Sequence, residues 1–313
     1  MGGGYISSSD MRSYYDDRSY ISKASNASQV FRSTKMNKDF DPSQIKLPRE
    51  ACDSVLSPHS RGIILAEDVT GSMGPYLLSL IKEEFPRLIT QIYDSVSYNP
   101  HIMFMGVGDV AAGDEAPLQV TQFETDLRML EQLEKIWLEE RGGGNGSESY
   151  ILSWYFAAKH TKMDCFEKRK EKGFLFTFGN DGPTPKLTSS QVKRVFGDND
   201  TLEEYALTSE ECLKMVSEKF YCYHVILGHP WTSQPEHWKS LMGGHVCELS
   251  DHHYLPELVT TILKMYEGLS KTDAINKIQS AEARTVVKNA LKWHEEIVVD
   301  TTANSAESEI DVF

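Results

Sequence analysis

From Arg61 onward the chain alternates between short runs of consecutive apolar residues and longer stretches whose apolar positions recur every three or four residues. The runs "GIILAED", "HIMFMGVGD", "GFLFTFGND", "YCYHVILG" and "GHVCELS" read as strands buried on both faces, and "LQVTQF" reads as a shorter strand near a sheet edge. Between them, "GPYLLSLIKEEFPRLITQIYDSV" sets Leu77, Leu80, Ile81, Phe85, Leu88 and Ile92 near helical spacing. "TDLRMLEQLEKIWLEE", "SYILSWYFAAKHT", "SSQVKRVF", "SEECLKMVSEKF", "QPEHWKSLM" and "YLPELVTTILKMYEGL" read as further helices. Alternation at this pace predicts βαβ units. The expected fold is α/β, a doubly wound and mostly parallel central sheet with helices on both faces, Rossmann-like in outline.

The flanks have a different texture. Residues 1–58 are rich in Ser, Tyr, Asp and Lys without a sustained period, which predicts a flexible N-terminal arm ahead of an α/β domain over 59–269. "TDAINKIQSAEARTVVKNALKWHEEI" predicts one more amphipathic helix, making 270–298 a C-terminal helical extension and 299–313 a flexible acidic tail.

Charge narrows the partners. At 313 residues the chain carries a formal charge of −14, which disfavours nucleic acid, where phosphate neutralisation by Lys and Arg dominates affinity. A cation or a basic protein surface suits it better. No span approaches the ~20 apolar residues needed to cross a bilayer, and the first residues have no secretory pattern. Five cysteines without C-x-x-C spacing fit reduced thiols. The expected setting is cytoplasmic, with no membrane association.

In a parallel sheet, ligands bind beyond the carboxyl ends of the strands. The first apolar run delivers Asp68, Thr70 and Ser72 to that position, three oxygen donors at alternate places in one turn. Such hard ligands suit Mg²⁺, or Mn²⁺ or Ca²⁺, and not zinc. The neutral hydroxyls leave the cation short of negative charge, able to accept a carboxylate from elsewhere. Two other strand ends contribute Asp181, in "FGNDGPTP", and Asp109, in "GVGDVAAGDE", with Asp114 farther along that loop. Each acid taken alone has an equally good reading as a turn or N-cap residue.

"DVTGSM" resembles the D-x-S-x-S box of von Willebrand factor A domains, with Thr70 for the first Ser, and "NDGPTP" resembles their later strand-end D-G box. The resemblance spans roughly Ser60 to Leu269. It implies a metal-ion-dependent adhesion site, in which Thr70 and Ser72 ligate the metal directly while Asp68 and Asp181 act largely through water. The middle loop departs from the family: "GGGNGSESY" has Asn145 where a Thr is common, followed by Ser147 and Glu148. Asn145 could ligate through its amide oxygen with Ser147 or Glu148 behind it. Equally, the loop is a turn with Ser147 capping the next helix. The whole chain also resembles stand-alone intracellular bacterial proteins of this family, some of which are encoded with MoxR-type AAA+ ATPases or chaperones.

What this implies is a non-enzymatic adaptor that captures a protein partner's Asp or Glu through the metal. Two other classes compete: a Mg²⁺-dependent phosphatase or hydrolase on the same strand ends, and a structural subunit assembled through arm and tail. No G-x-x-x-x-G-K-[ST] or G-x-S-x-G motif is present, and no second acid follows Asp68 by two residues. The late group His224, His229, His237, His245, His252 and His253, with Cys222 and Cys247, matches no zinc ligand frame. Cys222, His224 and Cys247 fall on predicted buried strands and read as core, with "SDHHY" capping the last helix.

Overall fold

The computed structural model describes residues 6–139, 146–203, 205–228 and 234–296. Its centre is a six-stranded sheet: β1 (Ser60–Asp68), β2 (Asn99–Val107), β3 (Leu118–Val120), β4 (Gly173–Gly179), β5 (Phe220–Leu227) and β6 (Val246–Leu249). The spatial order is β6-β5-β4-β1-β2-β3. Every pairing is parallel except that of β2 with the edge strand β3. The chain therefore fills one side of β1 first and then returns to fill the other, and the turning point lies between β1 and β4.

The helices are α1 (Ser8–Asp17), α2 (Ser19–Lys23), α3 (Gly74–Ser79), α4 (Phe85–Ser95), α5 (Arg128–Leu133), α6 (Tyr150–His160), α7 (Asp164–Arg169), α8 (Ser189–Phe196), α9 (Ser209–Ser217), α10 (Pro235–Met242), α11 (Leu255–Tyr266), α12 (Lys271–Asn276) and α13 (Ala281–Ala290). Strand alternation divides the core in two. Ile63, Leu65, Phe174, Phe176 and Val225 share a cluster with Leu88 and Ile92 of α4 and Leu258 and Ile262 of α11. Ile64, Ala66, Leu175 and Ile226 share the other with Trp154 and Tyr155 of α6, Val192 and Phe196 of α8 and Cys212 of α9. The continuous apolar runs of β1 and β4 follow from this, because both faces of each strand are covered. All five cysteines are free thiols, four of them buried.

Residues 6–58 do not form the expected mobile arm. Ser7 and Asp10 make a reciprocal capping box that starts α1, and Ile6, Met11, Tyr14, Ile21, Val30, Phe31 and Phe40 are buried in the first core cluster. Tyr14 and Tyr20 both donate to Glu134, and Arg18 pairs with Glu131 at 2.9 Å. The apolar anchors are too sparse to give a period, but each finds a slot on the domain.

Two helices are shorter than the pattern predicts. The stretch after Asp126 is helical only over Arg128–Leu133. Gln119 then holds Trp137 by both backbone groups, at 2.9 and 2.8 Å, and so draws the chain out of the helix. The C-terminal extension is two helices, each with its own serine cap, Ser270 on Asp273 N–H and Ser280 on Ala283 N–H. The extension is docked, with His294 Nε2 lying 2.7 Å from the Tyr223 hydroxyl. The acidic tail 299–313 lies outside the described residues.

Between α3 and α4, residues Leu80–Glu84 form a π-helical turn. Pro86 in the first turn of α4 has no N–H to give to the carbonyl one turn back, and its ring crowds that carbonyl, so the helix widens ahead of it. Tyr15 of α1 donates to the Ile81 carbonyl at 2.8 Å, and Lys82 donates to the Ala24 carbonyl at 3.0 Å. The N-terminal segment is thus fastened to this turn.

Candidate metal centre

β1 ends on Asp68, and the chain must turn sharply to enter the 3₁₀ turn Gly71–Met73. Asp68 makes that turn itself: its Oδ1 accepts from the Thr70 N–H at 2.9 Å and from the Thr70 hydroxyl at 2.6 Å. The Thr70 and Ser72 hydroxyls lie 3.4 Å apart, with Thr70 buried and Ser72 open to solvent. Ser72 donates to Asn180 Oδ1 at 3.0 Å, which ties the turn after β1 to the turn after β4. Asp181 follows, buried, its backbone carbonyl held by the Trp238 indole N–H at 3.0 Å.

Alternation along β1 sends the preceding acid, Glu67, to the opposite face of the sheet. Both of its oxygens are buried without a hydrogen-bond partner, and burial raises its pKa well above the usual range. Glu67 therefore lies outside this crevice.

The middle loop reaches the same place by backbone pairing. Ser147 and Glu148 run parallel to Gly182 and Pro183, with Ser147 opposite Gly182. The Thr184 hydroxyl donates to the Glu148 carbonyl at 2.6 Å. Glu148 is fully buried and neither carboxyl oxygen has a hydrogen-bond partner. Asn145 lies outside the described residues, so of this loop's expected donors the structure places Ser147 and Glu148.

Asp109 organises the loop behind them. Its Oδ1 accepts from the Ala111 N–H at 2.8 Å and from the Ser149 hydroxyl at 3.0 Å, while its own N–H donates to Asp114 Oδ2 at 2.7 Å. A Cβ at Gly108 would come within 2.8 Å of that same Asp114 oxygen, so the close approach needs glycine.

One residue that the sequence reading passed over, Tyr150, completes the centre, and His224, read from sequence as core, supports it. Tyr150 donates its hydroxyl to Asp68 Oδ2 at 2.9 Å from the first turn of α6. It fits because residue 179 is glycine: a Cβ there would stand 1.8 Å from the Tyr150 hydroxyl oxygen. His224 backs Tyr150 from β5, its ring 5.0 Å away, and stacks on Trp238 at 3.7 Å. Cys222, His224 and Cys247 are all buried, as the core reading expected.

The electrostatics favour a cation. Burial raises the Asp68 carboxyl to about 6 against the opposing pull of the Thr70 and Tyr150 hydrogen bonds, and the charge of Asp181 raises it further. Burial pushes Glu148 to about 10, and the charges of Asp68, Asp109, Asp181 and Asp114 add to the effect. The donors are all oxygens, several are carboxylates, and one buried carboxyl has no hydrogen-bond partner. That set fits Mg²⁺ or a similar hard ion, which would neutralise the crowding and let Glu148 ionise.

No protein-family profile matches this sequence, and no curated protein matches it. Among solved structures, the pilus adhesin SpaC from Lactobacillus rhamnosus GG in its open conformation aligns over 74% of this chain at 9% identity and a TM-score of 0.43. This chain spans 30% of that protein's length.

Proposed function

We propose that the chain is a von Willebrand factor A-type adaptor, doubly wound, whose adhesion-type metal site binds a protein partner. The observation that carries this reading is the meeting of Asp68, Thr70 and Ser72 with Asn180 and Asp181 at the carboxyl ends of β1 and β4. Those two strands flank the turning point of the sheet, where open α/β folds hold their ligands.

In this reading Thr70 and Ser72 ligate Mg²⁺, Asp68 and Asp181 act through water, and Glu148 supplies the middle-loop acid in company with or instead of Asn145. A bound Mg²⁺ supplies a Lewis-acidic position open to one further oxygen. Exposed Ser72 marks the open side of the site, where a partner's Asp or Glu would enter. Tyr150 holds Asp68 from below, and the Asp109–Ser149 pair fixes the loop that carries Glu148. Thr70 occupies the position where a phosphotransfer site would place its second acid, and its hydroxyl is committed to Asp68, which favours capture over phosphatase chemistry. A cytoplasmic setting and a MoxR-type ATPase or chaperone as partner rest on the sequence resemblance. Among the described residues no helix is long and apolar enough to cross a membrane.

The test pairs two measurements. Calorimetric titration should show Mg²⁺ binding to the full chain, lost in Asp68→Ala. Affinity capture from a native extract should retain a partner in Mg²⁺ that is released by EDTA and never captured by Asp68→Ala. Equal capture by both proteins in both conditions would sink the reading.

A further inference from the structure

We propose that Glu84, His252 and His253 form a second metal site, of the zinc type, separate from the oxygen-donor centre at the strand ends. Each of the three offers one ligand atom, and these atoms all lie within 4.8 Å of one another. Two imidazoles with one carboxylate make a donor set for zinc, and three protein ligands leave a fourth position for water. The oxygen-only donors around Asp68 have the opposite preference.

Three features of the surroundings prepare the group for a cation. Glu84 is fully buried, and one of its carboxyl oxygens has no hydrogen-bond partner while the other takes the Ser79 hydroxyl, at 3.2 Å. A buried carboxyl left in this state is costly unless something pairs with it. His253 has its Nδ1 2.8 Å from Asp251 Oδ1 and its Nε2 3.9 Å from Glu84 Oε1. The Asp251 carboxylate thus accepts from the Nδ1–H and leaves the Nε2 lone pair facing Glu84, the arrangement that orients metal-bound histidines. The separation of 3.9 Å is too long for a direct hydrogen bond and close to the roughly 3.4 Å between neighbouring ligands around a tetrahedral ion with ~2.1 Å bonds.

The backbone holds the three ligands together independently of any metal. Asp251 caps the 3₁₀ turn His252–Tyr254 through the His253 N–H at 3.0 Å. Arg87, one turn past Glu84, donates to the His253 carbonyl at 3.0 Å and also pairs with Glu257. His252 stands edge-on to Tyr76 at 5.2 Å. The π-helical turn ends at Glu84, the single widened place in the α3 to α4 segment. Exposed His253 can close on the ion by side-chain rotation, while Glu84 is the fixed partner. A bound ion would cross-link this turn to the start of α11.

The experiment uses the full chain, stripped of metal and titrated with Zn²⁺ against a chromophoric zinc chelator. One equivalent is expected for the wild type, unchanged by excess Mg²⁺ and retained in Asp68→Ala. Glu84→Gln, His252→Asn and His253→Asn should each weaken Zn²⁺ binding by at least about tenfold, and Asp251→Asn by roughly 10–100-fold, the range for a ligand's orienting partner. Zn²⁺ should also raise the unfolding temperature of the wild type and not of His253→Asn. Should Glu84→Gln fail to fold, the two histidine variants carry the test, since both rings reach the surface. Absence of Zn²⁺ uptake by the folded wild type, undiminished uptake by the folded histidine variants, or loss of uptake in Asp68→Ala would each overturn the proposal.

Discussion

Replacing Glu148 by Gln should stabilise the metal-free protein and weaken the metal-bound one, and the size of both effects follows from the burial of that carboxyl. Unfolded, the group has an ordinary pKa of 4.5; folded, burial and the acids around it push this to about 10. Between those values folding must take up a proton, at a cost of about 1.4 kcal/mol for each pH unit above the lower one. At pH 7 that amounts to about 3 kcal/mol. The sign is that of a raised acid: the folded state binds more protons than the unfolded state, so this group's contribution to stability is fully present below pH 4.5 and is lost as pH rises toward about 10. The substituted amide has no proton to take up and keeps nearly the same shape. Urea unfolding in EDTA at pH 5, 7 and 8 should show wild-type stability declining with pH and Glu148→Gln declining less, with the variant ahead at pH 7 by up to about 3 kcal/mol. If the proposed metal site holds, saturating Mg²⁺ should reverse the order, because the ion would pair with an ionised Glu148 and gain less from an amide. A variant less stable than the wild type in EDTA, or an unchanged pH slope, would refute the reasoning that Glu148 is an uncompensated acid.

Gly179→Ala places a methyl 1.8 Å from the Tyr150 hydroxyl oxygen and must push Tyr150 off Asp68; a loss of about 1–3 kcal/mol in urea unfolding is expected, together with loss of Mg²⁺ binding by calorimetry. Mg²⁺ affinity should fall as pH drops through about 6, where Asp68 takes up its proton, and titrations at pH 5 and 7 would show it. Ile21→Ala, in the segment that reads as an arm, should cost about 2–5 kcal/mol because the side chain is buried; an unfolding midpoint equal to that of the wild type would restore the mobile-arm reading.

The sequence determined by itself whatever depends on local order. Continuous apolar runs mark strands covered on both faces, helical spacing marks the layers over them, and "GIILAEDVT" places an acid where a buried strand stops. These signals survive without partners because they repeat within a few residues. The N-terminal segment carried no such repeat. Ile6, Met11, Tyr14 and Ile21 are isolated anchors whose burial is decided by slots on the domain. The helix after Asp126 looked longer than it is, since the side chain of Gln119, on the edge strand, holds Trp137 and draws the chain away.

At the site, the sequence could nominate Asp68, Thr70, Ser72, Asp109, Asp181, Ser147 and Glu148 as chemically able. Which of them are buried, and which carboxyl has no hydrogen-bond partner, is settled by packing. Tyr150 resembles any core aromatic until Gly179 is seen to admit its hydroxyl beside Asp68, a fit between residues far apart in the chain. His252 and His253 look like a helix cap in sequence and become candidate ligands once the π-helical turn brings Glu84 to them. Polar chemistry of this kind depends on distances of a few ångströms between separate segments, and folding alone sets those distances.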